Sequence, residues 1–433
     1  MELLSEIFHI GLDEYDPDDY HAIEYLSTIS SICSTWRGAA LGTPSLWRRI
    51  FYMDHDRDPR PKTKTKKPAI PRHTKDRLIA YLSRSKSCGI LLRLHFGARS
   101  LKIQAVKRIL HPHLSRCLSI WLSFMLESNM GDFLPLPGDL CQLTEFTCVS
   151  NKLDQSHLGS SGRARPPIFA EPGTLSLRKL ILEHCRPSID SINAQDLEDV
   201  RLRRIYNSGS KGATFISQCH SLTTLIITDF IPFDPEQPPF TLPNLMYLDT
   251  VGFGLLGVAH TPKLQTLILG VDHDIAADTV VRLPSLPALT TLCVLGDAIS
   301  EEITGLMALN TGIRRLMLLE CVGISDLVRL LKAEDMGSAA NTPGTMLLPS
   351  LSWLLVCDTS VPDADGFHAL FARRPTLRIE YEMWGPDYIE ADELIEIIEE
   401  LGQNDEPGVF EFRDLERRVF EREDEPQTGS ADA

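Results

Sequence analysis

Leu177-Arg-Lys-Leu180-Ile-Leu182 sets a frame that the chain then repeats. The spacing Leu-x-x-Leu-x-Leu returns at Leu197-Glu-Asp-Val200-Arg-Leu202, Leu222-Thr-Thr-Leu225-Ile-Ile227, Leu245-Met-Tyr-Leu248-Asp-Thr250 and Leu264-Gln-Thr-Leu267-Ile-Leu269. It continues through Leu289-Thr-Thr-Leu292-Cys-Val294, Ile313-Arg-Arg-Leu316-Met-Leu318 and Leu351-Ser-Trp-Leu354-Leu-Val356. From Leu177 to Ile313 the frames start 20, 25, 23, 19, 25 and 24 residues apart. Chance clustering of apolar residues does not hold one register through eight units.

A period in this range is that of leucine-rich repeats. The first Leu anchors a turn, the fourth and sixth residues point inward from a short strand, and the fifth faces the other way. Each unit leaves an apolar flank that only a neighbour closes, so the expected fold class is an α/β repeat. It is an irregular leucine-rich solenoid with a parallel concave sheet and a helical or irregular convex side. Prolines at Leu242-Pro243, Thr261-Pro262, Leu286-Pro287 and Leu348-Pro349 pre-set an extended entry to the strands. Weaker units extend the array: Ile90 to Leu94, Leu118 to Leu122 and Leu143 to Cys148 before it, Leu377 to Tyr381 after it, with a helix over Leu78 to Ser85. Two long intervals, 34 residues from Leu143 to Leu177 and 38 from Ile313 to Leu351, place their excess in Gly/Ser/Pro-rich loops around Gly159 to Pro167 and Gly337 to Gly344.

The fifth position of each frame is a candidate target-binding site on the concave face: Ile181, Arg201, Ile226, Asp249, Ile268, Cys293, Met317 and Leu355. Their mixed, often apolar character fits either a protein-binding face or a sheet covered by neighbouring turns.

Ahead of the repeats, Leu26, Ile29, Cys33, Trp36 and Ala40 follow helical spacing and put one small or apolar face on a segment too short to enclose a core alone. Trp36 and Trp47 could meet a partner or serve as core aromatics packed on the chain itself. Leu3-Leu4-Ser5-Glu6-Ile7-Phe8, Cys33-Ser34-Thr35-Trp36-Arg37 and Thr43-Pro44-Ser45-Leu46-Trp47 together resemble the F-box of large fungal protein families. The resemblance covers about a tenth of the chain. It implies a helical module that docks on the Skp-type adaptor of a cullin-RING ubiquitin ligase through Leu3, Leu4, Ile7, Phe8, Leu26, Ile29, Trp36 and Trp47. The family usually has a Leu-Pro turn just before the first helix, and this sequence starts at Met1-Glu2-Leu3 without it.

The 433 residues include 43% hydrophobic and 24% charged, without a run of about 18 apolar residues that would span a bilayer. The N-terminus lacks the order of a secretory signal. There is no Asn-x-Ser/Thr acceptor, and the ten cysteines show no framework spacing, so a reducing cytoplasmic or nuclear setting is expected. The net charge of −16 is concentrated at one end: Asp387 to Ala433 holds 17 Asp and Glu against 4 Arg, a balance of −13 that leaves −3 for the rest. Arg57 to Arg77 holds nine Lys and Arg, two Asp and four prolines, which reads as a basic loop. Without interleaved aromatics it is not expected to bind nucleic acid.

No phosphate loop, nucleophile elbow, His-Glu-x-x-His or paired Cys-x-x-Cys occurs. His111 and His113 are read as solvent-facing, and Cys185, Cys219 and Cys321 as small apolar filler. No catalytic, cofactor or metal residue is assigned. The expected organisation is an F-box-like module over 1–52, the basic loop over 53–77, the solenoid over 78–386, acidic capping helices over 387–420 and a disordered tail over 421–433. The expected function is that of a substrate receptor of a Skp-cullin-F-box ligase with an unknown target. The rival is a non-catalytic scaffold that no longer docks the adaptor.

Overall fold

A computed structural model of the chain describes residues 2–15, 21–54, 74–97, 103–126, 129–136, 140–150, 167–170, 177–185, 188–189, 192–204, 209–228, 238–271, 283–296, 301–319, 321, 331, 347–358, 370, 374, 376–383 and 410–414. The chain divides into two compact units, Met1–Leu222 and Thr223–Ala433. Each is an α/β arrangement on parallel strands.

The first unit opens with α1 (Glu2–Asp13), α2 (His21–Ile32), α3 (Ser34–Gly42) and a 3-10 turn over Pro44–Trp47. There follow β1 (Arg49–Asp54), α4 (Thr74–Arg84), β2 (Ile90–Phe96), α5 (Ile103–Leu110), β3 (Cys117–Phe124), α6 (Met130–Phe133), β4 (Glu145–Ser150), β5 (Lys179–Glu183), β6 (Asp199–Arg203) and α7 (Gly209–Ser217). Each strand pairs in parallel with the next, from β1 through β6. β1 was not anticipated: the end of the helical segment is itself a strand, residues 53 and 54, placed in the basic loop by sequence, belong to it, and residues 74–77 of that loop open α4.

Register places the fourth frame positions side by side, so Ile50, Leu92, Ile120, Phe146, Leu180 and Val200 form one buried row. The sixth positions, Tyr52, Leu94, Leu122, Cys148, Leu182 and Leu202, form the next. Further along the same face Phe96 stacks on Phe124, with ring centroids 5.4 Å apart and planes 15° apart, and Phe133 of α6 tilts against both. Helix and sheet thus bury one another's apolar side, which is why neither would persist alone.

The second unit contains β7 (Thr224–Ile227), β8 (Phe240–Thr241), β9 (Tyr247–Val251), α8 (Gly254–Val258), β10 (Ala259–His260), β11 (Thr266–Gly270), β12 (Thr291–Leu295), α9 (Glu301–Leu309), β13 (Arg315–Leu319), β14 (Trp353–Asp358), β15 (Arg378–Met383) and β16 (Phe410–Asp414). β7, β9, β11, β12, β13, β14, β15 and β16 are successive parallel neighbours. The short β8 and β10 pair separately. Leu225, Leu248, Leu267, Leu292, Leu316 and Leu354 form the fourth-position row, all fully buried.

Backbone bonds explain why the frame begins with Leu. The amides of Leu222, Leu245, Leu264, Leu289, Ile313, Leu351 and Leu377 each donate to the carbonyl three residues earlier, closing a turn over a buried side chain. The next residue then hands a bond across units: Gln265 N to Met246 O, Thr290 N to Gln265 O, Arg314 N to Thr290 O and Ser352 N to Arg314 O, at 2.8 to 2.9 Å. The eighth frame position recurs in left-handed backbone, at His184 (φ 50°), Arg204 (φ 52°), Gly252 (φ 74°) and Gly296 (φ 120°). The chain leaves these strands by a sharp turn that glycine makes without strain.

One sequence expectation is corrected. Phe410 to Asp414, assigned to a capping helix, is β16, in parallel register with β15. Phe410-Glu-Phe412 alternates with period two, the pattern of a strand. The remainder of the acidic segment 387–433, residues 55–73 of the basic loop, and the loops around 159–166 and 337–344 lie outside the described residues.

Candidate functional site

The N-terminal helices have two apolar faces. On α1, Phe8 and Leu12 are buried and Leu4 half-buried, while Leu3, Ile7 and Ile10 are 69%, 45% and 65% exposed. These three follow spacings of four and three residues, so they form one stripe along the helix. Ile32 at the end of α2 and Leu41 on α3 are also exposed large apolar residues. The sequence reading missed Ile10, Ile32 and Leu41; the Leu3-Ile7-Ile10 spacing would have disclosed the first.

The inward side is sealed by the chain itself. Phe8 meets Trp36 at a 5.1 Å centroid distance, and Leu26 and Ile29 of α2 are buried. Cys33 caps α3, its sulfur accepting the Trp36 amide at 3.5 Å, which accounts for the Cys-x-x-Trp spacing. Trp47 is 1% exposed. Its Nε1 donates to Ala40 O at 2.8 Å, Tyr81 of α4 lies edge-on at 5.0 Å, and the Arg84 guanidinium covers the ring at 4.4 Å. Of the eight candidate adaptor residues, therefore, Leu3 and Ile7 are at the surface, Leu4 and Trp36 are half-buried, and Phe8, Leu26, Ile29 and Trp47 are core. Those four are packed against other residues of the first unit, with α4, outside the 1–52 module, covering Trp47.

The fifth frame positions part in the same way. Ile181 and Arg201 in the first unit are half-buried. They share a row with Phe51, Arg93, Trp121 and Thr147, all half-buried. Within that face Arg93 lies over the Trp121 ring at 5.5 Å, His95 stacks on it at 6.3 Å, and Asp199 receives Arg201 at 3.2 Å and Lys179 at 3.6 Å. In the second unit Ile226, Ile268, Cys293, Met317 and Leu355 are at most 2% exposed, and Asp249 is 8% exposed. Ile268, Cys293, Met317 and Leu355 join Leu319 and Trp353 in one apolar cluster. For these six positions the open-face expectation gives way to the second reading left by the sequence, a covered sheet.

The buried cysteines, Cys117, Cys148, Cys185, Cys219, Cys293 and Cys321, are interior filler, whereas Cys33 and Cys141 are exposed. Burial pushes the thiols of Cys117 and Cys219 up to about 12, and burial together with Asp249 and Cys321 raises that of Cys293 well above the ordinary value. His111 is exposed. His113 is half-buried beside Arg116, and burial followed by that charge lowers its pKa. Among the described residues there is no group of three or more His, Cys, Asp or Glu placed to hold a metal ion, and no helix long and apolar enough to cross a membrane.

Two structural polar residues were not anticipated. Asn310, 4% exposed, accepts the Leu286 amide at 2.5 Å and donates to Leu306 O at 2.7 Å. Arg374, 6% exposed, donates to Leu348 O at 2.8 Å, Leu347 O at 2.5 Å and Leu331 O at 3.4 Å. Both satisfy carbonyls or amides of neighbouring segments that burial would otherwise orphan. No family model matches the chain, and no curated protein is significantly similar to it.

Proposed function

We propose that the chain is a non-catalytic receptor: an F-box-like module joined to an irregular leucine-rich solenoid, carrying target proteins to a Skp-cullin-F-box type ubiquitin ligase in the cytoplasm or nucleus. One observation carries this reading. α1 buries Phe8 and Leu12 on its own module yet turns Leu3, Ile7 and Ile10 to solvent, leaving an apolar stripe without cover among the described residues. Each such side chain gains about 1.5 to 3 kcal/mol on full burial against a partner. The in-register parallel strands at the repeat spacing support the solenoid. The half-open face bearing Arg93, Trp121, Ile181 and Arg201 is where the first unit has side chains to offer a target. Its mechanism is proximity, which raises the effective concentration of the target without a covalent step of its own.

Pull-down of the full chain with a Skp-type adaptor tests the reading. Ile7→Asp places a charge on the stripe without touching the core, and is expected to abolish retention while the thermal melt stays unchanged. No adaptor complex with the folded parent chain would favour the scaffold instead.

A further inference from the structure

We infer a second binding site on the N-terminal module, a basic pocket that takes an organic phosphate monoester. It goes beyond the adaptor and target surfaces and does not depend on them. A pocket of about 370 Å³ opens between α2, α3 and α4, lined among others by Ser27, Arg37, Trp47, Asp76, Arg77 and Arg84. Three guanidinium groups against one carboxylate give it an excess of positive charge. Neither Arg37 nor Arg84 has a carboxylate partner among the described residues.

Arg84 and Arg37 are each anchored by a contact within the first unit. The Arg84 guanidinium sits over the Trp47 ring at 4.4 Å, and that ring is fixed by its bond to Ala40 O and by Tyr81. Arg37 spends its Nε on Ser30 O at 2.8 Å, which orients the guanidinium and leaves its terminal nitrogens without a hydrogen bond among the described residues. Two pre-set forks converging on one cavity are suited to an anion with several oxygens, because planar guanidinium groups bind phosphate by paired, charge-assisted hydrogen bonds. Ser27 adds a hydroxyl at the wall. A carboxylate offers two oxygens; a phosphate monoester offers three on one centre and answers more of these donors. The pocket is open to solvent, so a phosphate can sit among the arginines while the group that carries it lies toward the mouth.

Calorimetric titration of the full chain with phenyl phosphate at low salt is expected to give saturable one-to-one binding. Arg84→Gln and Arg37→Gln are each expected to weaken it about tenfold. Ser27→Glu keeps all three arginines but sets a carboxylate of the chain itself in the pocket, and is expected to abolish binding with the melt unchanged. O-phosphoserine and a short phosphoserine peptide separate the sources: about equal affinity points to a free monoester, a much tighter peptide to a phosphorylated protein. Replacing Lys62, Lys64, Lys66 and Lys67 with Gln should leave binding unchanged. Loss of binding in that variant, retention in Ser27→Glu, or no saturable binding by the parent chain overturns the inference.

Discussion

The two units build the same strands and treat the fifth residue of the frame in opposite ways. In the first, Phe51, Arg93, Trp121, Thr147, Ile181 and Arg201 lie half-open along one row. In the second, the matching row of Ile226, Asp249, Ile268, Cys293, Met317 and Leu355 is closed. Parallel pairing and the inward fourth and sixth positions are common to both, so the backbone does not decide the difference. Side-chain chemistry does. A sheet covered on both faces reads as an unbroken apolar run, and Leu267-Ile-Leu269, Leu292-Cys-Val294, Leu316-Met-Leu-Leu319 and Leu354-Leu-Val356 are such runs. Where Arg93 and Arg201 interrupt the run, the face stays in reach of water. Phe51, Trp121 and Ile181 are the apolar members of the open row, and Asp249 is the charged exception on the closed side. The frame therefore reports strands, while the residue between its two inward positions reports only in part which faces are closed.

Thiol chemistry gives the largest expected contrast. Cys33 and Cys141 are exposed and should react with iodoacetamide in the native chain. Cys219, pushed up to about 12 from 9.0, should lag by about 1,000-fold on thiolate population alone, a factor of ten for each unit. Cys293, at the fifth position of β12, should label only after unfolding. Mass spectrometry of peptides from native labelling decides this, and prompt labelling of Cys293 would break the comparison by showing an open face. The same raised thiols set a pH dependence. Between 9.0 and about 12 the folded chain holds the Cys219 proton that the unfolded chain releases, so stability is full below this window and falls as pH rises through it. The urea midpoint should follow.

Next in size is Met317→Ala. With Met317 fully buried, truncation removes apolar contact and leaves a cavity, for an expected loss of about 2 to 5 kcal/mol in denaturant unfolding. A loss under about 1 kcal/mol would mean that the face yields easily and is not a packed second core.

How much of this was legible depended on whether the cause was local. The frame displayed its strands because period-two alternation is written in adjacent residues, and the turn at each first Leu followed from it. The sealing of Trp47 was not legible, since Tyr81 and Arg84 come from a helix more than thirty residues away in sequence. The sequence carries no local mark of the roles of Arg374 and Asn310, because they bond to segments 24 or more residues away as well as, for Asn310, to Leu306 O. The left-handed strand exit was half legible: Gly252 and Gly296 mark it, His184 and Arg204 disguise it. Gly296→Ala examines that exit, since a Cβ there would lie 2.2 Å from Val271 O at φ +120°. Relief would require backbone movement, and an expected loss of about 1 to 3 kcal/mol should appear as a lower melting temperature.

The smallest effect sharpens the open side. Arg201 is partly exposed, and its 3.2 Å contact with Asp199 shares that carboxylate with Lys179 at 3.6 Å. Removing it by Arg201→Ala leaves Lys179 beside Asp199 among the described residues and opens no cavity in the β6 core, because the buried residues of β6 are Val200 and Leu202 on the other face. Exposed ion pairs contribute about 0.2 to 1 kcal/mol, so the unfolding midpoint should barely move. Set beside Met317→Ala at the equivalent frame position, the two substitutions measure how far burial of one face, rather than position in the repeat, sets the energetic weight of a residue. If Arg201→Ala cost as much as Met317→Ala, the fifth row of the first unit would also be a core, and the proposal that it is a recognition face would fall with it.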